Sequence, residues 1–338
     1  MIELKHVSKS FRSHRKDAGL KASLKSLLWR DYQIKHALRP IDLRIEQGEL
    51  VGLLGANGAG KTTLVKICTG IIRTSSGQVS VLGQDPWSRD HTFRRSISLI
   101  MGQKAQLWWD LPAADCFLLL REIYQVPKEL FEKRLRELCS ILEINAQLKV
   151  QIRQLSLGER MKMELIAALL HQPKMIFLDE PTIGLDITSQ RALRDFIKRY
   201  HEEHKPTIIL TSHYMEDIQS LCKRIIVLRE GAVIYDGLLD ALVKQYSKDK
   251  VVTIALDQKS DRVDYDSLIK SESRLNSSLF EISSCSTETI KLCVRRDYVS
   301  HAASVLLEIL PVIDLNIQEP DVASIVANIQ RHGFEQDA

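Results

Sequence analysis

The sequence predicts an α/β protein: a sheet core dressed with helices, followed by a small C-terminal α+β domain. Three observations predict it. Short apolar runs, Glu49-Leu-Val-Gly-Leu-Leu-Gly55, Met175-Ile-Phe-Leu178 and Thr207-Ile-Ile-Leu-Thr211, read as strands buried on both faces. Helical patterns separate them, over about 113–172 and 188–203, and strands alternating with helices imply a parallel sheet covered on both sides. A polar stretch from Lys244 to Lys250 then reads as a linker to the last 90 or so residues.

Taken in order, residues 1–11 alternate apolar and polar through Ile2, Leu4 and Val7, which predicts an edge strand. Residues 37–47 continue in the same style with Leu38, Ile41, Leu43 and Ile45, so residues 12–36 read as an insertion. Inside it Leu20, Leu24, Leu27 and Leu28 share one face at helical spacing. Pro173 stops the helical region before Met175. Ile225-Ile-Val-Leu228 and Val233-Ile-Tyr235, joined through Glu230-Gly231, predict a closing hairpin. Beyond the linker Ile290, Leu292 and Val294 alternate, and Val299, Ala303, Leu306 and Leu310 keep a helical period. Leu315 and Ile317 alternate again, and Pro320 opens a terminal helix. Cys285 and Cys293 fall on predicted strands and are expected as buried thiols. The expected domains are 1–242, a linker at 243–250 and an accessory α+β domain at 251–338.

Composition narrows the class without naming an activity. The 338 residues carry a net charge of +4, far from the concentrated basicity of a dedicated nucleic-acid binder, and no nucleic-acid partner is expected. No apolar run approaches the roughly 20 residues that cross a bilayer. Six scattered cysteines form no Cys-x-x-Cys pair, which argues against a zinc module and suits a reducing compartment. The charge is unevenly placed: residues 12–36 hold seven Lys or Arg against two Asp, so the rest of the chain is at −1. This basic, leucine-rich segment is a candidate contact for anionic lipid headgroups or for an acidic face of a membrane partner, against the plainer reading of a solvated face on a packing helix.

Gly55-Ala-Asn-Gly-Ala-Gly60-Lys61-Thr62 fits G-x-x-x-x-G-K-[ST] and follows a predicted strand, the context in which that motif binds phosphate. Glycines let backbone N–H groups wrap an anion, and the next helix adds its N-terminal dipole. Gly55, Asn57, Gly58, Gly60, Lys61, Thr62 and Thr63 are therefore the candidate nucleotide contacts. Lys61 suits the β- and γ-phosphates, and the Thr62 hydroxyl suits Mg²⁺. The strand Met175–Leu178 ends in Asp179 and Glu180. Asp179 can hold Mg²⁺ through water, while Glu180 can orient or deprotonate an attacking water. No Asn-Lys-x-Asp guanine-reading motif occurs.

With these motifs and four more, residues 1–240 resemble the ATP-binding-cassette (ABC) ATPases. Gln103 stands where that family's Q-loop glutamine links Mg²⁺ and water to a transport subunit, and Leu155-Ser-Leu-Gly-Glu159 resembles its signature. Gly184-Leu-Asp186 resembles the D-loop, and Thr211-Ser-His213 ends a strand as the family's switch histidine does. The resemblance implies a P-loop ABC domain with a mixed sheet and a helical subdomain at about 105–172 that carries the signature. It further implies ATP and Mg²⁺ as ligands, His213 and Gln103 beside Glu180 in catalysis, Gln103 among the metal contacts, and Asp186 near nucleotide. Ser156 and Gly158 would meet the γ-phosphate held by an opposing cassette, so the chain would work as a homodimer or paired cassette. Leu157 and Glu159 depart from the usual Leu-Ser-Gly-Gly-Gln; the added charge is tolerable facing ribose and inhibitory facing phosphate. Phe11 stands where the family stacks an aromatic on adenine, with Tyr32 as a competitor because of the insertion. Gln103 leads into Ala105-Gln-Leu-Trp-Trp109-Asp-Leu-Pro112, whose two tryptophans are either interior or line the groove for a separate transmembrane permease subunit. The chain would then sit peripherally on the cytoplasmic face of the membrane. The insertion, the tryptophan pair and the appended domain resemble more narrowly a branch of bacterial viologen and multidrug exporters.

Overall fold

Every residue of Leu50–Gly55 (β3) is buried, as are all five of Met175–Asp179 (β6) and of Thr207–Thr211 (β7). Strands this apolar need helices on both faces. The computed structural model describes residues 1–14, 32–102, 105–246, 249–257, 264–318 and 325–326. It divides the chain into two compact units, Met1–Leu238 and Leu239–Ala338.

In the first unit the main sheet runs β5-β6-β7-β3-β8-β9, with β5 at Ile97–Met101, β8 at Arg224–Arg229 and β9 at Ala232–Leu238. The first five strands are parallel and β9 closes antiparallel to β8, so the sheet is mixed. A second sheet is antiparallel, ordered β2-β1-β4, from Ile2–His14 (β1), Tyr32–Ile45 (β2) and Ser76–Val81 (β4). The predicted edge strand β1 is therefore the central one. Its alternation records that one face is buried, which is equally true of a central strand.

Helix α1, Lys61–Cys68, lies between the sheets. Its Leu64, Val65, Ile67 and Cys68 share one core with Ile2, Leu4 and Leu43 of one sheet and Leu53, Phe177 and Ile226 of the other. After α2 (His91–Ser96), the region from 105 onward holds α3 (Ala113–Tyr124), α4 (Lys128–Ile141) and α5 (Leu157–Leu169). Helix α6 (Ile187–His204) joins β6 to β7, and α7 (Met215–Leu221) leads to β8.

The inserted segment is shorter than 12–36. Strand pairing runs on through Phe11↔Lys35 and Arg12↔Ile34 to His14↔Tyr32, so both flanks are arms of a long hairpin. The leucine face at Leu20–Leu28 and the terminal helix at Pro320 lie outside the described residues.

The second unit begins with α8, Leu239–Tyr246, and continues with β10, Asp249–Leu256. The predicted linker at 243–250 is thus helix up to Tyr246 and strand from Asp249. Its lysines and Asp249 made it polar, but Leu239 and Leu242 bury an amphipathic face just ahead. Then come α9 (Tyr265–Ser271), β11 (Phe280–Cys285), β12 (Thr289–Arg295), α10 (Val299–Ile309) and β13 (Val312–Gln318). From β10 the order is βαββαβ, and the all-antiparallel sheet reads β11-β12-β10-β13. This is the split-βαβ, ferredoxin-like topology. Val252, Ile254, Ile290, Leu292 and Val294 pack with Ile269, Ala302 and Leu306 in one core. Cys285 is exposed, against expectation, and Cys293 is half-buried. Strand β11 is an edge strand, and a register irregularity between Ile282 and Ser284 precedes its last residues.

Candidate functional site

The loop between β3 and α1 turns through three glycines of positive φ: Gly55 (155°), Gly58 (83°) and Gly60 (110°). Gly60 is the most constrained. A Cβ there would lie 2.6 Å from Leu38 Cδ2 and 2.7 Å from the Ala37 carbonyl oxygen. Strand β2 thus presses on the loop, and Gly231 at the β8–β9 turn donates to the Ala59 carbonyl from the other side. Lys61 is 5% exposed, and its Nζ donates to the Gly55 carbonyl at 2.6 Å and that of Ala56 at 3.3 Å. Burial lowers its pKa, opposed by the nearby Glu180 and Asp179 carboxylates. Asn57 and Gly58 sit at the loop tip, and Thr62 and Thr63 enter the first turn of α1.

Strand order decides which groups meet Lys61. Strand β7 lies between β3 and β6 and brings Thr211 beside Asp179. Asp179 Oδ1 accepts from Thr211 Oγ1 at 2.6 Å, and Asp179 Oδ2 accepts from Thr62 Oγ1 at 3.1 Å. One residue on, Glu180 adopts φ 56°, a left-handed turn fixed by its N–H donating to the Thr211 carbonyl and hydroxyl. That turn aims the carboxylate at His213, whose Nε2 lies 2.7 Å from Glu180 Oε1. Lys61, Thr62, Asp179, Glu180 and His213 are therefore gathered at neighbouring strand ends, as the spacing anticipates. Gln103 lies outside the described residues.

The residue before it, Gly102, escaped sequence reasoning. Its N–H donates to the Asp179 carbonyl at 2.9 Å, and a Cβ on it would stand 2.0 Å from the Glu180 carbonyl oxygen. The only signal in the sequence was a glycine directly before Gln103. Gly102→Ala must push the Glu180 peptide aside, and misplaced reacting groups cost about 100-fold per ångström-scale shift. Steady-state ATP hydrolysis of that variant should fall by this order, and a normal rate would show that the Glu180 backbone is free to move.

Asp217 also went unread. It is fully buried and accepts from Ser212 Oγ at 2.6 Å, Thr182 Oγ1 at 2.5 Å and Arg194 Nη1 at 3.0 Å. It so joins the loop after Glu180 to the loop that carries His213.

The signature residues form a second cluster. Ser156 N-caps α5 in a reciprocal capping box: its hydroxyl accepts from Glu159 N–H at 3.3 Å, and Glu159 Oε2 accepts from Ser156 N–H at 2.9 Å. Gln147 Nε2 donates to Glu159 Oε1 at 3.0 Å. The Ser156 N–H, then its hydroxyl, hold the Glu159 carboxyl below its usual pKa. The added charge of Glu159 is thus engaged at its own helix N-terminus, where negative charge is favoured. Gly158 lies in the first turn against Ser189, and Leu157 packs against Gly184. Asp186 N-caps α6, accepting from Ser189 N–H at 2.9 Å and Ser189 Oγ at 2.7 Å.

Phe11 is exposed on the hairpin and carries Lys9 Nζ 5.0 Å from its ring centroid. It pairs with Lys35, two residues before the Ala37 carbonyl that crowds Gly60, whereas Tyr32 stands three register positions farther out. Trp108 and Trp109 are 43% and 49% exposed, so neither is interior, and Arg160 lies 5.3 Å over the Trp109 ring.

The donor set fits ATP with Mg²⁺. A hydroxyl and a carboxylate oxygen within 3.1 Å, Thr62 and Asp179, are hard ligands of the kind Mg²⁺ takes. Among the described residues no cluster of three or more His, Cys, Asp or Glu could hold a metal ion.

The chain is similar to several known proteins. The ABC transporter family profile matches residues 38–183. The ABC transporter ATP-binding protein NatA of Bacillus subtilis is 34% identical over 210 residues, 62% of this chain and 85% of NatA. The daunorubicin resistance ATP-binding protein DrrA3 of Streptomyces coeruleorubidus is 33% identical over 65% of this chain and 69% of its own. The methionine import ATP-binding protein MetN 2 of Enterococcus faecalis is 29% identical over 72% of this chain and 67% of its own. Among solved structures, the dimeric post-hydrolysis state of the ATP-binding cassette MJ0796 with ADP and Pi superposes with a TM-score of 0.58 at 25% identity. That match covers 70% of this chain and 98% of the cassette.

Proposed function

The chain belongs to the ABC transporter ATP-binding proteins, and on that premise we propose that it is the ATP-hydrolysing motor of a bacterial membrane exporter. It is an ATPase with the P-loop ABC fold. The observation that carries the mechanism is the Glu180–His213 pair set beside Lys61, Thr62 and Asp179.

In this reading the loop N–H groups and Lys61 hold the β- and γ-phosphates, while Asn57 and Gly58 line the loop tip. Thr62 and Asp179 would hold Mg²⁺, which supplies neutralisation of charge on the phosphate oxygens. Glu180 takes the proton of the water attacking in line, and His213 fixes the Glu180 carboxylate and faces the γ-phosphate. Phe11 offers its ring to the adenine. Ser156 and Gly158 complete the site of an opposing cassette, so two chains close head-to-tail around two nucleotides, and Asp186 lies at that seam. Closure and reopening pass force to separate transmembrane subunits.

The exposed Trp108 and Trp109 supply the docking surface for such a subunit, since tryptophan is favoured at interfaces. No helix among the described residues is long and apolar enough to cross a membrane. Export is supported by the resemblance to DrrA3, a daunorubicin resistance ATP-binding protein, while the likeness to MetN 2 keeps import as the alternative. The deciding experiment is co-expression with the transmembrane subunit that co-purifies with this chain and transport in inverted vesicles. ATP-driven accumulation inside them supports export, and accumulation confined to right-side-out vesicles overturns it.

Residues 15–31, with five basic residues against two acidic ones, are further proposed to meet anionic headgroups. Deleting 15–31 leaves the hairpin arms paired up to Ser13↔Gln33, with His14 and Tyr32 as a two-residue turn. The deletion should abolish salt-sensitive binding to phosphatidylserine-containing vesicles, and unchanged, salt-insensitive association would refute the contact.

A further inference from the structure

The segment that follows Gln103 is fastened to α5 and to the chain just before it. Near the segment's start, Glu164 Oε1 accepts from the Gln106 N–H at 2.8 Å and the Leu107 N–H at 3.1 Å. At its far end, Arg153 N–H donates to the Trp109 carbonyl, Ile152 N–H to that of Leu111, and Ala113 N–H to that of Val150. Between these ties, the Arg160 guanidinium covers the Trp109 ring at 5.3 Å.

Glu164 is only 6% exposed, among the buried Met161, Met163, Leu165 and Ile166 of the same helix. A carboxylate taken from water costs several kcal/mol unless hydrogen bonds replace its hydration. Here two successive backbone amides do so. Burial raises its pKa, and both amides oppose that shift. What the carboxylate adds at this buried position is its grip on the two loop amides.

We infer that Glu164 is a positioning residue of the hydrolytic cycle, clasping segment 105–112 to α5 so that loop and helix move as one body. Displacing the exposed Trp108–Trp109 surface then displaces Ser156, which caps the same helix eight residues earlier. Without the clasp the start of the segment, at Gln106 and Leu107, comes away from α5, and the signature follows the loop less closely. Nucleotide still binds at Lys61, but the paired cassettes close poorly and turnover falls. The inference rests on the reading above that Ser156 serves the nucleotide of an opposing cassette.

The test uses the full chain with Glu164→Met and Glu164→Gln, each alone and combined with Glu180→Gln. Methionine fills similar volume without accepting the amides. Glutamine keeps a carbonyl oxygen that can take both. Losing the two bonds should lower the kcat of Glu164→Met by about tenfold or more, with affinity for a fluorescent ATP analogue within about twofold of wild type. Glu164→Gln should recover turnover to within about threefold. Hydrogen exchange at Gln106 and Leu107 should quicken in the methionine variant and not in the glutamine variant. With Glu180→Gln added, the methionine variant should need several-fold more ATP to dimerise.

Full turnover in Glu164→Met, a parallel loss of turnover and nucleotide affinity, or a glutamine variant as impaired as methionine would each overturn the inference. If Glu180→Gln alone keeps hydrolysing ATP, the assignment of the site fails instead. The exchange rates and the two kcat ratios still judge the clasp in that case.

Discussion

Glu180→Gln should bind ATP as tightly as wild type, lose hydrolysis by about 10²- to 10⁴-fold, and accumulate as a closed dimer. The substitution changes almost no volume. The amide oxygen can still partner His213, now 2.7 Å from the carboxylate, and the left-handed turn at residue 180 is held by backbone bonds to Thr211 that the side chain does not make. What disappears is the capacity to take a proton from water. Binding and chemistry therefore separate: equilibrium nucleotide binding and size-exclusion chromatography in ATP should look complete while phosphate release stops. Undiminished phosphate release would remove Glu180 from the role of base. His213→Ala offers a check on the same pair, because it removes the imidazole that contacts the Glu180 carboxylate.

The largest loss of stability is expected from Asp217→Ala. Its carboxylate receives Thr182, Ser212 and Arg194, and the Arg194 side chain is itself 11% exposed. Alanine leaves a buried guanidinium whose other acidic partner, Glu216 at 3.2 Å, has a side chain 76% exposed. Breaking one side of a buried pair costs about 3–5 kcal/mol. For a domain of this size that lowers the melting temperature by about 10 °C. Calorimetry decides it, since a shift below about 2 °C would mean that Glu216 alone satisfies Arg194. Asp217→Asn retains one acceptor and should fall between the two. Turnover should drop as well, because the hydroxyls released belong to residues flanking Glu180 and His213.

The site was legible where its chemistry demands particular residues next to one another. A loop that wraps phosphate needs glycines before a lysine and a hydroxyl, and Asp179-Glu180 must follow an apolar strand to stand at the sheet's end. None of this depends on distant sequence. Asp217 and Glu164 were illegible for the opposite reason. In Met215-Glu-Asp-Ile218 an aspartate looks like an ordinary acidic helix start, and only Arg194 and Thr182, brought in by the fold, make it interior. Glu164 has the same local look, and the amides that need it lie 57 and 58 residues earlier.

The fold divides along the same line. The buried strands and the closing hairpin were visible as patterns, whereas β4 and β5 in the stretch between α1 and the tryptophans went unread. Strand β4 is mostly exposed or half-exposed, so its alternation carries little apolar signal. That β1 is central was also hidden, because a strand's neighbours are chosen by the whole sheet. The long hairpin arms at Arg12–His14 and Tyr32–His36 are polar, and pairing alone defines them.

The two compact units follow one another without interleaving: everything up to Leu238 belongs to the first, and everything from Leu239 to the second. On a ribosome the chain is made in that order. Strand β9, the last piece of the main sheet, is complete at Leu238, so the whole phosphate site is encoded before the first codon of the ferredoxin-like unit is read. Domains fold as units during synthesis, the N-terminal one first. The nascent first unit can then bind ATP while residues 239–338 are still being translated. Any nucleotide that binds the folded first unit and not the unfolded chain favours that fold by mass action, before the chain has left the ribosome.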